Sequence, residues 1–204
     1  MSEISKVASP SMSALVLPFA YALSTLLFLW AAAGGDLALL QTRLLGWQLA
    51  SFLGLWVLSK RWKPELFRVR IRGRREWAIG IGAGLAAFAP SAAVLLLTRQ
   101  GFLPWNFQIP AVEHWMLIPA LGIAMPILAE LFVRGWVAPS WGYGGVAFLD
   151  ALVLACGFQS GFVFVTHFLL GLLLGTLAQR VSLGVAVLAR VTWSLLTILL
   201  LYWM

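Results

Sequence analysis

Charge is scarce in this chain. Of 204 residues, 14 are Lys or Arg and seven are Asp or Glu, so charged residues make up 10%, against about 25% in an ordinary soluble domain. Cysteine is scarcer still. The single Cys156 excludes an intramolecular disulfide and a cysteine-based zinc cluster, and within its apolar run it reads as a small buried hydrophobe. A Walker-type phosphate loop and a dinucleotide fingerprint are both missing, as are a soluble domain, a long linker and any low-complexity tract. The first thirteen residues lack the charged start and small-residue cleavage site of a secretory signal, so the first apolar segment reads as a retained helix.

What is present is apolar. Hydrophobic residues reach 62% and the mean hydropathy is +0.95. A domain of this size cannot hide that much apolar surface inside itself, so the excess must face lipid. Eleven tryptophans fit the same setting, because Trp is enriched where a membrane meets water. The predicted fold class is therefore all-α: a polytopic transmembrane helical bundle forming one domain over residues 1–204.

A spanning helix needs about 20 mostly apolar residues, and seven segments come close. They cover about 14–33, 37–58 (carrying Gln41, Arg43 and Gln48), 77–97 (loosened or kinked near Pro90), 115–137, 146–165, a short one at 167–179, and 181 to the C-terminus. The stretch from Lys60 to Arg75 holds eight of the fourteen basic residues. By the positive-inside rule this loop is cytoplasmic, and so is the N-terminus two crossings earlier. Residues 138–145 and Arg180 then fall on the same side, and seven crossings leave the C-terminus outside. The expected location is a bacterial-type inner membrane. Val69 and Ile71 alternate with arginines as in a basic strand, but a loop touching anionic headgroups accounts for the charge without nucleic acid.

Ionisable groups at bilayer depth cost several kcal/mol (roughly 2.5–3.5 on insertion scales) unless paired or hydrated, and are functional candidates by default. Here they are Glu130, Arg134, Asp150, His167 (near the junction of the fifth and sixth segments) and Arg190. Glu130 and Arg134 stand four apart, on one helix face. Arg190 falls roughly 15 Å into the last helix, at a depth compatible with Glu130. The expectation is an Arg134–Glu130–Arg190 cluster, with Asp150 as a further counter-charge. It serves either as a structural clasp between helices or as a polar cavity open to the cytoplasm.

The run from Ile127 to Gly135, Ile-Leu-Ala-Glu-Leu-Phe-Val-Arg-Gly, resembles the first motif of the CPBP family, the CAAX-type and bacteriocin-processing intramembrane endopeptidases. That motif is Glu-Glu, three residues, then Arg, often followed by Gly. Residues Phe168 to Gly175 are similar to the apolar, glycine-containing stretch before the family's last motif. The tail Val187 to Ser194 falls where that motif, His-x-x-x-Asn or Asp, would lie. The middle motif, Phe-x-x-x-His, would fall on Ala155 to Gln159. The resemblance covers about residues 115–197 and implies a CPBP-like helical fold.

The departures matter as much as the match. The resemblance implies a catalytic glutamate at Ala129 and histidines at Gln159 and Arg190, with an Asn or Asp at Ser194; only Glu130 and Arg134 are kept. In the family these groups are thought to activate a water that attacks a peptide carbonyl. A general base must accept a proton at working pH. Alanine and glutamine cannot, and arginine stays protonated. Arginine is also no metal ligand, and Glu130 with one histidine is too small a ligand set. No metal or other cofactor is expected. Ser194 would need a base beside it to act as a nucleophile, and Arg190 one turn away is not one.

Three readings follow. The first is a non-catalytic CPBP-like protein that binds a membrane-embedded or lipid-modified protein or peptide in processing or sorting, with Arg190 suited to an anionic group such as a C-terminal carboxylate. The second is an active endopeptidase with a rearranged site: Glu130 as base, Arg134, Arg190 and Gln159 around the oxyanion, and His167 shuttling protons. The third is a small transporter or channel subunit, which should show repeated halves and broken helices; no clear repeat is visible. Membrane lipid is a partner in all three.

Overall fold

The computed structural model describes residues 23, 69–100, 118–158 and 161–203, and all the elements found there are helical. The two N-terminal segments expected at 14–33 and 37–58 lie outside the described residues, apart from Leu23, which is helical. Helix α1 is Arg74–Arg99. A composite helix follows: π1 Ile118–Ala124, α2 Met125–Glu130, π2 Leu131–Val137 and α3 Ala138–Trp141. After it come α4 Tyr143–Phe158, α5 Gly161–Arg180 and α6 Leu183–Trp203. Three stretches, Arg74–Leu97, Gly161–Arg180 and Leu183–Leu201, are long and apolar enough to cross a membrane, and Tyr143–Ala155 is a shorter apolar helix. The chain is a membrane protein.

Helix α1 shows why. Gly80, Gly84, Ser91 and Leu95 are buried at helical spacing, while Trp77, Ile81, Leu85 and Leu96 are exposed. A helix apolar on both faces suits lipid on one and protein on the other. It also runs on through Pro90.

Between lipid-embedded helices no hydrophobic force remains to be gained, so close packing carries association. Two small-xxx-small pairs supply it. A Cβ on Gly80 would lie 2.8 Å from a methyl of Leu188, and one on Gly84 would lie 2.6 Å from Cβ of Thr192 and 2.7 Å from the Ala189 carbonyl oxygen. Residues 80 and 84 thus face 188 and 192, and α1 and α6 lie side by side in parallel. Helix α5 also packs on α6, and it runs antiparallel to α4. A Cβ on Gly171 would meet that of Ala147 at 2.7 Å, and one on Gly175 would meet Cβ of Tyr143 at 3.0 Å. Helix α6 is the hub, touching α1, α5, π1, α2 and π2.

The composite helix owes its wide turns to proline. Segments π1 and π2 end two residues before Pro126 and Pro139 respectively. Proline has no N–H for the carbonyl four residues back and its ring crowds that carbonyl, which favours the looser winding of a π-helix. The helix stops at Gly142, whose φ of 81° and ψ of 143° lie in a region open essentially to glycine alone. Gly142→Ala should cost about 1–3 kcal/mol by this strain, although its Cβ would meet nothing within 4 Å. Equilibrium unfolding in detergent checks this.

Two boundaries differ from the sequence reading, the first being the expected connection 138–145, which is helical apart from Gly142. Helix α4 is described to Phe158 and α5 from Gly161, so the expected junction at 165–167 lies inside α5. The reason is local: Gln159 and Ser160 are polar and glycines stand at 157 and 161, whereas 161–170 is a continuous apolar run broken only by Thr166 and His167. The sixth segment is therefore a full 20-residue helix, and His167 lies inside it, not at its junction.

Helix directions place the chain's basic groups together. Val69, Arg70 and Ile71 pass over Gly184 at the start of α6, beside the turn that follows Arg180. Arg70, Arg72, Arg74, Arg75 and Arg180, all exposed, thus gather at one end of the bundle. At the other end the Arg99 guanidinium lies 5.6 Å from the Trp203 ring centroid.

Candidate functional site: a buried charge cluster around helix α6

Glu130 closes α2 and Arg134 lies in π2, so winding changes between them while the four-residue spacing still brings them together. An Arg134 N–H donates to Glu130 Oε1 at 2.7 Å. The two side chains are 3% and 1% exposed, which makes this a buried ion pair. The second Arg134 nitrogen donates to the Gly171 carbonyl on α5 at 3.3 Å. Gly171 provides the seat: a Cβ there would come 3.3 Å from that same nitrogen.

Arg190 approaches from α6, in the second turn of that helix. Its charge acts on Glu130, Arg134 and His167, and Asp150 on α4 acts on the same group. Of the expected cluster, Arg190 and Asp150 thus reach Glu130 through charge at a distance and not by direct contact among the described residues. The one direct ion pair among the described residues is Glu130–Arg134. The Arg190 guanidinium instead stacks over Trp193, 5.0 Å from the ring centroid. Among the described residues, two buried atoms in the cluster lack a hydrogen-bond partner: Glu130 Oε2 and Arg190 Nε.

His167 sits near Arg190 on α5. Its Nδ1 lies 3.0 Å from the Val163 carbonyl, an oxygen that can only accept, so in the neutral ring Nδ1 carries the proton and Nε2 is left as an acceptor. The ring meets Trp193 edge to face at 5.3 Å. The indole N–H of Trp193 donates to Ser91 Oγ on α1 at 3.1 Å, and that hydroxyl reaches the Ala87 carbonyl at 3.4 Å. Trp193 therefore joins α1, α5 and α6 and orders both Arg190 and His167.

The remaining motif positions are quieter. Ala129 is half-buried and packs against the cluster of Phe132, Val133, Trp136 and Val137. Ser194 is buried on α6, one turn past Arg190. Gln159 lies outside the described residues. Among the described residues no three of His, Cys, Asp and Glu converge as metal ligands.

Trp193, Ser91 and Gly171 were not singled out by the sequence reading. A signal for Gly171 was present in its four-residue spacing from Gly175. Nothing in the sequence marks Trp193 apart from the other tryptophans.

Among the described residues a cation and a carboxylate of this cluster each keep one buried atom without a hydrogen-bond partner. Among the same residues, Glu130 is held by Arg134, and His167 keeps Nε2 as an acceptor. No protein-family model matches the chain, and neither a curated protein nor a solved structure does.

Proposed function

We propose that this membrane protein is a non-catalytic, CPBP-like bundle that binds a membrane-embedded or lipid-modified protein partner. Arg190 and Glu130 engage a polar group of that partner. The observation that carries this reading is the pair of unpartnered buried atoms, Glu130 Oε2 and Arg190 Nε, in one charge cluster. Leaving a buried polar group unsatisfied costs about 1–3 kcal/mol, and more for a charged one. A partner that satisfies both atoms recovers that cost. The degenerate motif positions agree: Ala129 is packed among apolar side chains and Arg190 stands where the resemblance implies a histidine. In this reading the bundle has seven crossings in a bacterial inner membrane, with the N-terminus and the basic stretch 60–75 in the cytoplasm.

A second reading keeps endopeptidase activity, with Glu130 as base. The free Oε2 favours it. The 2.7 Å contact with Arg134 disfavours it, because that ion pair already engages the other carboxylate oxygen and fixes the side chain away from the role of a free base.

Mass-spectrometric mapping of protein termini in membranes of the source cell separates the two. Wild type, a deletion and Glu130→Gln are compared. Termini lost only in the deletion, together with a co-purifying membrane protein lost on Arg190→Gln, support the binding reading. Termini lost equally in the deletion and in Glu130→Gln overturn it in favour of proteolysis.

A further inference from the structure

The described part of the basic stretch before α1, residues 69–73, is seated in a particular way apart from the buried cluster. Residues 69–72 are not helical. Val69 and Ile71 are half-buried and Arg70 and Arg72 are exposed, the alternation of an extended segment with one face on protein. The protein beneath is the first turn of α6: a Cβ on Gly184 would lie 3.1 Å from the Arg70 carbonyl oxygen and 3.2 Å from side-chain carbons of both Val69 and Ile71. Both ends of this contact are fixed. The Arg72 backbone N–H donates to Glu76 Oε2 at 2.6 Å, which ties the strap to the first turn of α1. On the α6 side, the Ser182 hydroxyl accepts from the Val185 N–H at 3.3 Å and caps the helix.

The consequence is a set of guanidinium groups held facing outward. Arg70 and Arg72 alternate with the anchored Val69 and Ile71, Arg74 and Arg75 continue into α1, and Arg180 arrives from the end of α5. Glu76 is the acidic residue in the first turn of α1, and its carboxylate is already engaged by the strap. Trp77 is 50% exposed directly beyond it, as suits a side chain at the headgroup level.

We propose that the strap Val69–Arg72, seated on Gly184, forms with Arg74, Arg75 and Arg180 a binding site for the phosphates of anionic phospholipid headgroups. Loose basic loops attract anionic lipid through net charge alone. Here the apolar residues of the strap fix the arginines, so the site discriminates by placement as well as charge. Guanidinium groups suit it because they bind phosphate through paired N–H donors. Nucleic acid shares the phosphate chemistry, but a site at the end of a lipid-embedded bundle, with an exposed tryptophan beside it, favours the membrane surface. The inference does not depend on what the buried cluster binds.

Native mass spectrometry of the full chain in detergent, titrated with equal phosphatidylglycerol and phosphatidylcholine, tests it. Retained phosphatidylglycerol should exceed phosphatidylcholine. Arg70→Gln with Arg72→Gln should lower that preference by about fivefold per arginine, taking about 1 kcal/mol for each. Arg99→Gln at the opposite end should leave it unchanged. Gly184→Val keeps every arginine but displaces the strap, and should also lower the preference while the far end is unaffected. The proposal is overturned if the Arg70/Arg72 variant, whose exposed positions leave folding intact, binds like wild type. It is equally overturned if Gly184→Val folds and keeps the full preference, since charge alone would then suffice. Tighter retention of a short DNA duplex than of phosphatidylglycerol would also overturn it.

Discussion

Arg134→Met is expected to destabilise the bundle by about 3–5 kcal/mol, the cost of leaving a buried charge without its partner. Glu130 is 1% exposed and one of its oxygens is already unpartnered, so removal of Arg134 strips the carboxylate of its direct cation. The same change frees the Gly171 carbonyl that Arg134 holds. The double variant Arg134→Met with Glu130→Gln should recover much of the loss, because a pair replaced together leaves no isolated charge. Tryptophan fluorescence during equilibrium unfolding in detergent measures both. If the double variant is as damaged as the sum of the singles, the two side chains are not energetically coupled. Arg190 invites the same comparison in weaker form. Glu130→Gln with Arg190→Gln should be milder than either single change, by less than for the direct pair, because Arg190 acts on Glu130 through space rather than through an ion pair.

Gly84→Ala is the second large effect. One methyl group would sit 2.6 Å from Thr192 Cβ and 2.7 Å from a backbone oxygen of α6. Neither can rotate away, so the helices must part. Overpacking of this kind costs about 1–3 kcal/mol. Gly82→Ala, two residues away, provides the control. Its Cβ would meet nothing within 4 Å, and alanine is the better helix former by about 0.5–1 kcal/mol. Opposite signs for neighbouring glycines in the same unfolding assay would identify the α1–α6 seam. Equal effects would mean that the seam is not where α1 is held.

Some of this was legible in the sequence. Four-residue spacing put Glu130 and Arg134 on one face, and the depth of Arg190 along a helix counted back from the basic side brought it near Glu130. The relative sidedness of Arg74, Arg75 and Arg180 also followed from charge, because topology is written in short basic loops. Other features were hidden for physical reasons. Between 146 and 180 nearly every residue is apolar, so hydropathy gave no boundary, and the weak signal of Gln159 and Ser160 between glycines was passed over. The parallel neighbours α1 and α6 could not be paired from hydropathy, since lipid and protein present the same apolar demand to a helix surface. The four-residue spacing of Gly80 and Gly84 on α1 was the readable cue. Trp193 was obscured by abundance: among eleven tryptophans, an interfacial role is the default expectation, and only the meeting of Ser91, His167 and Arg190 around one indole distinguishes it.

The pairing of α1 with α6 also sets a timetable. Ser91 and Trp193 are 102 residues apart in the chain, and at about 5–20 residues per second a ribosome needs roughly 5–20 s to make that stretch. Helices α4 and α5 are neighbours in sequence and can pair as soon as both have left the translocon. Through that interval the glycine face of α1 has no α6 to close on, and Glu130 and Arg134 have each other but not Arg190. Newly made α1 is therefore exposed to wrong partners during biogenesis until α6 arrives to complete the seam.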